Sequence, residues 1–417
     1  MADRSTRKRV SAELDSAHFG WFHIKAILIA GVGFYTDAYD LFIIGIAKPM
    51  MAIVYYPQLN GKLAVSDDLW VTGVALVGAL IGQLTFGFLG DYLGRKKVYL
   101  VTLIIMICGT IGQCFAASTV KGIGFVTELC IWRFVLGVGI GGDYPLSATI
   151  ATEYSPTKWR GAFVASVFAM QGLGILSAAI VSIITIRCFK DAILYHDINY
   201  LDYVWRIIIG FSAIPTILTI YLRSQLPETP RFSTDVEQDD AKALQNVRAA
   251  KSNEGVFVED YTPASKMNRI SASGLGRYLT YPSILHNRNF WVLIGTASTW
   301  FLLDIAYYSQ NLFLPNILEG IGYNPSIALP AAKCMKMHNC PHYSLPVPPF
   351  DGMFACKGKC AEQVYDKVFK TAAGNAITAC MGTVPGYWFT IAFVDTIGRI
   401  NIQYIGKPVL VNCIFDI

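Results

Sequence analysis

The chain alternates between long apolar stretches and short polar segments, a pattern typical of a protein that crosses a membrane several times. A membrane-spanning helix needs roughly 20 predominantly apolar residues. Eight stretches meet this requirement and predict helices at residues 24–47, 70–90, 98–118, 124–147, 161–186, 203–223, 290–318 and 371–394. A ninth span is predicted to begin after Asn401, where Lys407 and Pro408 interrupt the apolar pattern.

Composition supports the same class of protein. Hydrophobic residues make up 53% of the 417 residues and charged residues only 15%, and the mean hydropathy is +0.43. These values are typical of membrane proteins and not of soluble ones. The net charge of +5 reflects basic loops between spans, so we do not expect nucleic acid as a partner.

The orientation of the chain follows from its basic residues. They precede the first span, follow the second and follow the fourth, at Arg4, Arg7, Lys8, Arg9, Lys25, Arg95, Lys96, Lys97, Lys158 and Arg160. Loops rich in Lys and Arg favour the cytosolic side of a membrane. The polar segment 1–23, which lacks the apolar core of a cleavable signal peptide, is therefore predicted to be cytosolic.

The fourth span contains a glycine pattern, Gly137-x-Gly139-x-x-Gly142. In a dinucleotide site these glycines would form a turn between a strand and a helix, with an acidic residue about 20 positions on. Here they lie inside an apolar span without such an acid. We therefore interpret them as small residues that let membrane helices approach closely.

Several polar side chains are predicted to lie at membrane depth, where ionisable groups are costly and usually functional. Asp37 and Asp40 share nearly one face of the first span. The others are Arg133 and Asp143 in the fourth span, Gln171 in the fifth, and Trp300, Asp304 and Tyr308 at intervals of four in the seventh. Arg133 could also reach a lipid headgroup, and Gln171 could simply connect two helices.

The chemistry of this set suits an anion and a proton. Carboxylates in a low-dielectric cavity can bind and release protons near neutral pH. Tyr144, Gln171, Trp300 and Tyr308 are hydrogen-bond donors without full charge, so they could hold a small oxyanion without trapping it.

Two loops repeat one motif and predict an internal duplication. The loop after the second span carries Gly87, Asp91, Gly94 and Arg95, and the loop after the eighth span carries Asp395, Gly398 and Arg399. Together with "LPETPRF" after the sixth span, these loops resemble those of the major facilitator superfamily.

Within that superfamily the chain resembles the proton-coupled inorganic phosphate symporters of plant and fungal type. The resemblance rests on "FYTDAYDLF", "GGDYPLSATIATEY", "RGAFVASVFAMQG", "TWFLLDIAYYSQNLF" and "TVPGYWFTIAFVDTIGR". It implies that Tyr144, Gln171, Trp300, Asp304 and Tyr308 contact phosphate. It also implies that Asp37, Asp40 and Asp143 handle protons with Arg133 as a charge partner, and that the two repeated loops gate the protein.

The resemblance also implies an all-α major facilitator fold in the plasma membrane, which in that family has twelve spans. We expect a complete six-helix bundle at 24–225, a cytosolic central loop at 226–289, and an incomplete second bundle at 290–417, giving about eight to nine spans. The expected partners are inorganic phosphate, protons and the lipid bilayer, and an oligomer is compatible with this pattern. A truncated, non-transporting interaction partner, or a carrier for another small solute, is the alternative.

The outward segment 321–368 is rich in cysteine. Cys334, Cys340, Cys356 and Cys360, with His338 and His342, could hold zinc, but a disulfide-bonded loop is the commoner arrangement outside the cell. The chain shows no Ser-His-Asp or Cys-His arrangement with catalytic spacing. We therefore expect no enzyme activity, no cofactor and no bound metal.

Overall fold

The computed structural model describes residues 21–56, 59, 61–93, 95–117, 124–155, 159–224, 288–323, 351–398 and 401–402. Throughout these residues the regular structure is helical. The first part of the chain forms α1 Trp21–Tyr55, α2 Val65–Leu93, α3 Arg95–Phe115, α4 Phe125–Tyr154, α5 Arg160–Cys188, α6 Leu201–Gly210 and α7 Ala213–Ser224. The second part forms α8 Arg288–Leu312, α9 Leu314–Gly320, α10 Asp351–Thr378 and α11 Val384–Phe393.

Eight helical segments among the described residues are long and apolar enough to span a membrane. They are Ile24–Tyr55, Val65–Gly90, Arg95–Phe115, Phe125–Thr152, Arg160–Cys188, Ile198–Tyr221, Phe290–Leu312 and Ala361–Phe393. The eight predicted spans are therefore confirmed. The predicted ninth span lies outside the described residues, apart from Ile402.

The helix boundaries differ from the predicted ones in two places. Helix α1 continues to Tyr55, beyond the predicted end at residue 47, with Pro49 inside it. Helix α10 begins at Asp351, so residues 351–368 of the predicted outward loop are helical. The sequence pattern did not reveal this helix, because charged residues interrupt its apolar positions. Glu362 and Asp366 are exposed on one face, while Val364 and Val368 are buried on the other.

The sixth span is interrupted between α6 and α7. Pro215 has no N–H to donate to the carbonyl of Phe211, and the N–H of Ile214 donates to that carbonyl instead, at 3.1 Å. The break places buried Ser212 at the turn between α6 and α7. Helix α7 ends at Ser224, and its second-last residue, Arg223, is buried in the protein interior.

The tightest packing joins α2 and α4 through glycines on both helices. A Cβ at Gly137 or Gly141 would overlap the carbonyls of Ala75 and Ala79 on α2. Small residues allow such close approach of membrane helices. The interpretation of the glycine pattern as a helix-packing surface is confirmed, and a nucleotide-binding turn is absent from this described helix.

The two halves of the chain meet along a few helices. Helix α5 of the first half packs against α10 and α11 of the second, and α1 contacts α8 and α9. Side chains from both halves therefore meet between α1, α4 and α5 on one side and α8 and α11 on the other. Most of the polar residues predicted from the sequence lie around this meeting place, whereas Asp40 and Arg133 lie within the first half.

Adding one methyl group at the α2–α4 contact should destabilise the protein. We expect Gly141→Ala to lower the free energy of unfolding by about 1–3 kcal/mol, the usual cost of overpacking, because the new Cβ would overlap the Ala79 carbonyl. Thermal unfolding of the purified variant in detergent measures this. The matched control is Gly73→Ala, where no atom lies within 4 Å of the added Cβ; equal stability of the two variants would contradict the packing argument.

Candidate functional site

A fully buried ion pair connects α4 to the end of α7. Arg223 Nη1 donates to Asp143 Oδ1 at 2.6 Å, and Nη2 donates to Oδ2 at 3.0 Å. Both side chains have 0% exposure. This bidentate geometry is the strongest that a guanidinium and a carboxylate can adopt. The charge of Asp143 is therefore neutralised by Arg223.

Neighbouring residues shape the space around this ion pair. A Cβ at Gly33 of α1 would overlap both the Arg223 guanidinium and the Asp143 carboxylate, so only glycine lets α1 pass this close. The guanidinium also lies over the ring of Tyr99, 3.4 Å from the ring centre. The Tyr99 and Ser147 hydroxyls share a hydrogen bond beside it.

Asp37 lies one helical turn after Gly33 and faces the same ion pair. Its side chain has 0% exposure, and within the described part of the chain neither carboxylate oxygen has a hydrogen-bond partner. Asp143 and Arg223 both act on it electrostatically. Two carboxylates thus share the field of one guanidinium, which leaves one negative charge unmatched when both are ionised.

Arg133 and Asp40 form a separate cluster. Arg133 donates to the Val71 carbonyl at 2.7 Å and to Gln113 Oε1 at 3.5 Å, and it acts on Asp40 through its charge. Thr110 Oγ1 donates to Asp40 at 3.5 Å. The cation that binds Asp143 is therefore Arg223 and not Arg133, because the Arg133 side chain is directed to the backbone of α2.

A chain of uncharged polar groups crosses between the two halves. Gln171 Nε2 donates to Tyr144 Oη at 2.7 Å, and Tyr387 Oη donates to Gln171 Oε1 at 3.0 Å. Tyr144 and Gln171 belong to the first half, whereas Tyr387 comes from α11. A Cβ at Gly172 would press against the Tyr387 ring at 2.9 Å, so this glycine makes room for the contact.

Helix α8 adds further hydrogen-bonding groups, from the residues predicted at intervals of four: Trp300, Asp304 and Tyr308. Trp300 Nε1 donates to Asp304 Oδ2 at 2.8 Å, as expected for residues four positions apart on a helix. One turn further, Tyr308 interacts with Tyr144 across the boundary between the halves. Asp304 acts electrostatically on Tyr308 and on Tyr387.

Asp37 links the ion pair to these donors. It acts electrostatically on Tyr144 and on Tyr308, so it lies between the Asp143–Arg223 pair and the polar chain. Aromatic rings close the region, with Phe34 packed edge-on against Tyr144 at 4.9 Å between ring centres. Seven of the nine polar side chains predicted at membrane depth therefore lie in one neighbourhood: Asp37, Asp143, Tyr144, Gln171, Trp300, Asp304 and Tyr308. The other two, Asp40 and Arg133, form the separate cluster.

The repeated loop after the eighth span also contacts the first half. Asp395 Oδ2 accepts a hydrogen bond from the N–H of Ala162 at 2.8 Å, in the first turn of α5. A carboxylate is favoured at a helix N-terminus by the unpaired N–H groups there. A Cβ at Gly161 would overlap this carboxylate, and Gly398 adopts a φ of 95°, a left-handed conformation that favours glycine.

The matching loop after the second span is mostly helical. Gly87 and Asp91 belong to α2 and Arg95 begins α3, so these three positions of the predicted charged turn are helical. Gly94 and Arg399 lie outside the described residues, as does the side chain of Asp91. Their predicted roles in gating remain predictions.

The cysteine-rich segment is only partly described. Cys334, His338, Cys340 and His342 lie outside the described residues, as do the side chains of Cys356 and Cys360. Among the side chains that the structure does describe, no group of three or more His, Cys, Asp or Glu residues could hold a metal ion.

Sequence reasoning missed two residues of this region. Arg223 lies at the end of its span, where a basic residue is ordinarily explained by the cytosolic surface. Tyr387 lies in an apolar segment with several aromatic residues, and its partner Gln171 is 216 positions away. Arg223 could have been found from Asp143, because a carboxylate buried in a span requires a cationic partner.

Comparison with known proteins places this architecture in a family. Residues 26–335 match the family described as "Sugar (and other) transporter". "Probable inorganic phosphate transporter 1-3" of Oryza sativa subsp. japonica is 40% identical over 413 residues, which cover 95% of this chain and 71% of that protein. The chain belongs to the inorganic phosphate transporter family of the major facilitator superfamily.

Further relatives and one solved structure agree with this assignment. "Low affinity inorganic phosphate transporter 1" of Petunia hybrida is 41% identical and covers 95% of this chain, which spans 70% of that protein. "Inorganic phosphate transporter 1-4" of Arabidopsis thaliana is 41% identical, covering 94% of this chain and 69% of its own length. A partially occluded, inward-open xylose transporter of E. coli has a TM-score of 0.51 at 16% identity, covering 90% of this chain and 91% of its own, which shows the fold. This family member is thus a multi-pass membrane protein with the major facilitator fold, and the resemblance found in the sequence is confirmed.

Breaking the buried ion pair from one side should destabilise this transporter-family protein more than removing both partners. Arg223→Met leaves the Asp143 carboxylate buried without its cation, which typically costs about 3–5 kcal/mol. The double variant Arg223→Met/Asp143→Asn removes that uncompensated charge and should recover much of the loss. Thermal unfolding in detergent compares the variants; a single variant as stable as the parent would contradict the assigned pairing.

Proposed function

We propose that this protein imports inorganic phosphate across the plasma membrane together with protons, by alternating access between its two halves. One observation carries the proposal: the fully buried Asp37 carboxylate has no hydrogen-bond donor among the described residues. It interacts electrostatically with the Asp143–Arg223 ion pair and with Tyr144 and Tyr308, which come from different halves. The family supports phosphate as the substrate, since the named relatives are inorganic phosphate transporters.

Phosphate would bind where the two halves meet. Tyr144 and Gln171 reach this place from the first half, and Trp300, Tyr308 and Tyr387 reach it from the second. These groups now bond to one another, and an oxyanion could replace those contacts with its own acceptor oxygens. Donors without full charge bind an anion weakly enough to release it, as a carrier requires.

Proton coupling would arise from the unmatched charge. Arg223 neutralises Asp143, and a proton on Asp37 removes the remaining negative charge from the buried cluster. The same proton reduces repulsion toward an anion held by Tyr144 and Tyr308. Asp304 would act similarly from the second half, because a protonated carboxyl there gains a donor for phosphate.

Alternating access requires contacts that hold one state and yield in the other. The Asp395 carboxylate on the first turn of α5 joins the halves at the end where α5 begins. We place this end on the cytosolic side, with the amino terminus, from the distribution of Lys and Arg. Phosphate and protons together would then bias the two states more than either ligand alone.

The direct test is uptake of radiolabelled phosphate by proteoliposomes that contain the purified chain. We expect an inward proton gradient to stimulate uptake, and excess unlabelled sulfate to compete poorly. Asp304→Asn should abolish the stimulation, because its side chain can no longer exchange a proton.

The matched control for this test is Asp366→Asn, which removes an exposed carboxyl of the same half. It should transport like the parent. Absence of uptake by folded parent protein, or normal proton-stimulated uptake by Asp304→Asn, would contradict the proposed function and favour a non-transporting role.

A further inference from the structure

A second cavity lies between the two halves, at the ends of the spans away from the amino terminus. Its volume is about 750 Å³. The end of α1, the start of α2, helix α9 and the second half of α10 surround it. Its charged lining residues are Lys48, Lys62, Asp68, Glu319 and Lys367. None of these residues belongs to the central site.

The lining carries more positive than negative charge. Lys62 Nζ lies 2.9 Å from Glu319 Oε1, and Lys367 Nζ lies 3.6 Å from Glu319 Oε2. Lys48 is paired with Asp68 at 2.7 Å and donates to Thr72 Oγ1 at the same distance. Two ammonium groups therefore share the single carboxylate of Glu319, and one positive charge is unmatched among the described lining residues.

Burial makes this surplus charge costly. Lys48 is 6% exposed and Lys367 is 7% exposed, so water screens their charges poorly. Lysine is rarely buried this deeply without a carboxylate or another anion to compensate it. Asp68 compensates the charge of Lys48. Lys367 shares the Glu319 carboxylate with Lys62, and its distance to that carboxylate is longer than a good hydrogen bond.

The contact between Lys62 and Glu319 is one that an anion could replace. The Lys62 side chain is 61% exposed and Glu319 is 24% exposed, and ion pairs of this kind are weak in water. Burial alone would raise the pKa of Glu319, but the hydrogen bond from Lys62 and the charge of Lys367 lower it below its usual range. Glu319 is therefore an anionic group that two lysines hold in place.

We propose that this cavity is a second anion site, in which a phosphate ion replaces the Glu319 carboxylate between Lys62 and Lys367. The choice of phosphate rests on the proposed function, whereas the charges alone point to an oxyanion. The exposed Lys62 gives the ion a route from the surrounding solution. The cavity is also large enough to receive it without moving the backbone.

Occupancy of this site would also act on the contact between the halves. Lys62 belongs to the connection between α1 and α2, and Glu319 belongs to α9 of the second half. Their bond joins the halves at this end of the protein. A phosphate held between Lys62 and Lys367 would replace this direct bond with a bridge through the ion, because Lys367 also belongs to the second half.

Calorimetric titration of the purified full chain with inorganic phosphate, in detergent free of phospholipid, tests the site. We expect an outer binding event besides the central one. Lys62→Gln should weaken the outer event roughly tenfold, because it removes one charge-assisted hydrogen bond. Glu319→Gln should strengthen it by roughly the same factor, because the competing carboxylate is gone.

Two exposed residues of α10 that do not line the cavity supply matched controls. Lys370→Gln and Glu362→Gln remove the same charges and should leave the titration unchanged. The double variant Tyr144→Phe/Gln171→Leu should lose the central event and keep the outer one. This result supports the outer site even where transport itself fails.

Two results would overturn the proposal. One is phosphate binding that neither Lys62→Gln nor Glu319→Gln alters. The other is Lys62-dependent binding of a short-chain phosphatidylglycerol without binding of inorganic phosphate, which would identify a lipid headgroup as the occupant. Because Lys62 is exposed, its variant should fold like the parent, and the thermal unfolding midpoint verifies this.

Discussion

The central constraint in this protein is the sharing of one buried guanidinium by two buried carboxylates. Arg223 forms two hydrogen bonds with Asp143, and Asp37 lies beside them without a hydrogen-bond partner among the described residues. Ions at membrane depth are tolerated only when they are paired or when they serve a function. The surrounding structure accommodates this arrangement: Gly33 gives the pair room, and the Tyr99 ring covers the guanidinium.

In the proposed function, the unmatched charge would connect proton binding to the boundary between the two halves. Asp37 acts on Tyr144 and Tyr308, which come from different halves. Tyr144 continues through Gln171 to Tyr387. A change of charge at one carboxylate therefore reaches groups that hold the halves together. A carrier needs this kind of coupling, because its ligands must favour one arrangement of the halves over the other.

Much of the architecture could be predicted from the sequence, because a bilayer demands long apolar helices and buried acids stand out within them. The eight spans and the glycine packing of α4 follow from those rules. Partners that are distant in sequence could not be predicted: Arg223 resembles a residue of the membrane surface, and Tyr387 resembles its aromatic neighbours. The helix over 351–368 could not be predicted, because charged residues on its exposed face interrupt the apolar pattern of its buried face. The pairing of Lys62 with Glu319 could not be predicted either, because the two residues are far apart in the sequence.

The most direct test of the account is proton uptake on phosphate binding, measured by calorimetry in buffers with different ionisation enthalpies. The account predicts that the parent protein takes up protons when phosphate binds. It predicts that Asp37→Asn, whose side chain is neutral throughout, binds phosphate with a smaller proton uptake, while Asp366→Asn behaves like the parent. Equal proton uptake by the parent and Asp37→Asn would contradict the central claim that the unmatched buried carboxylate carries the coupled proton.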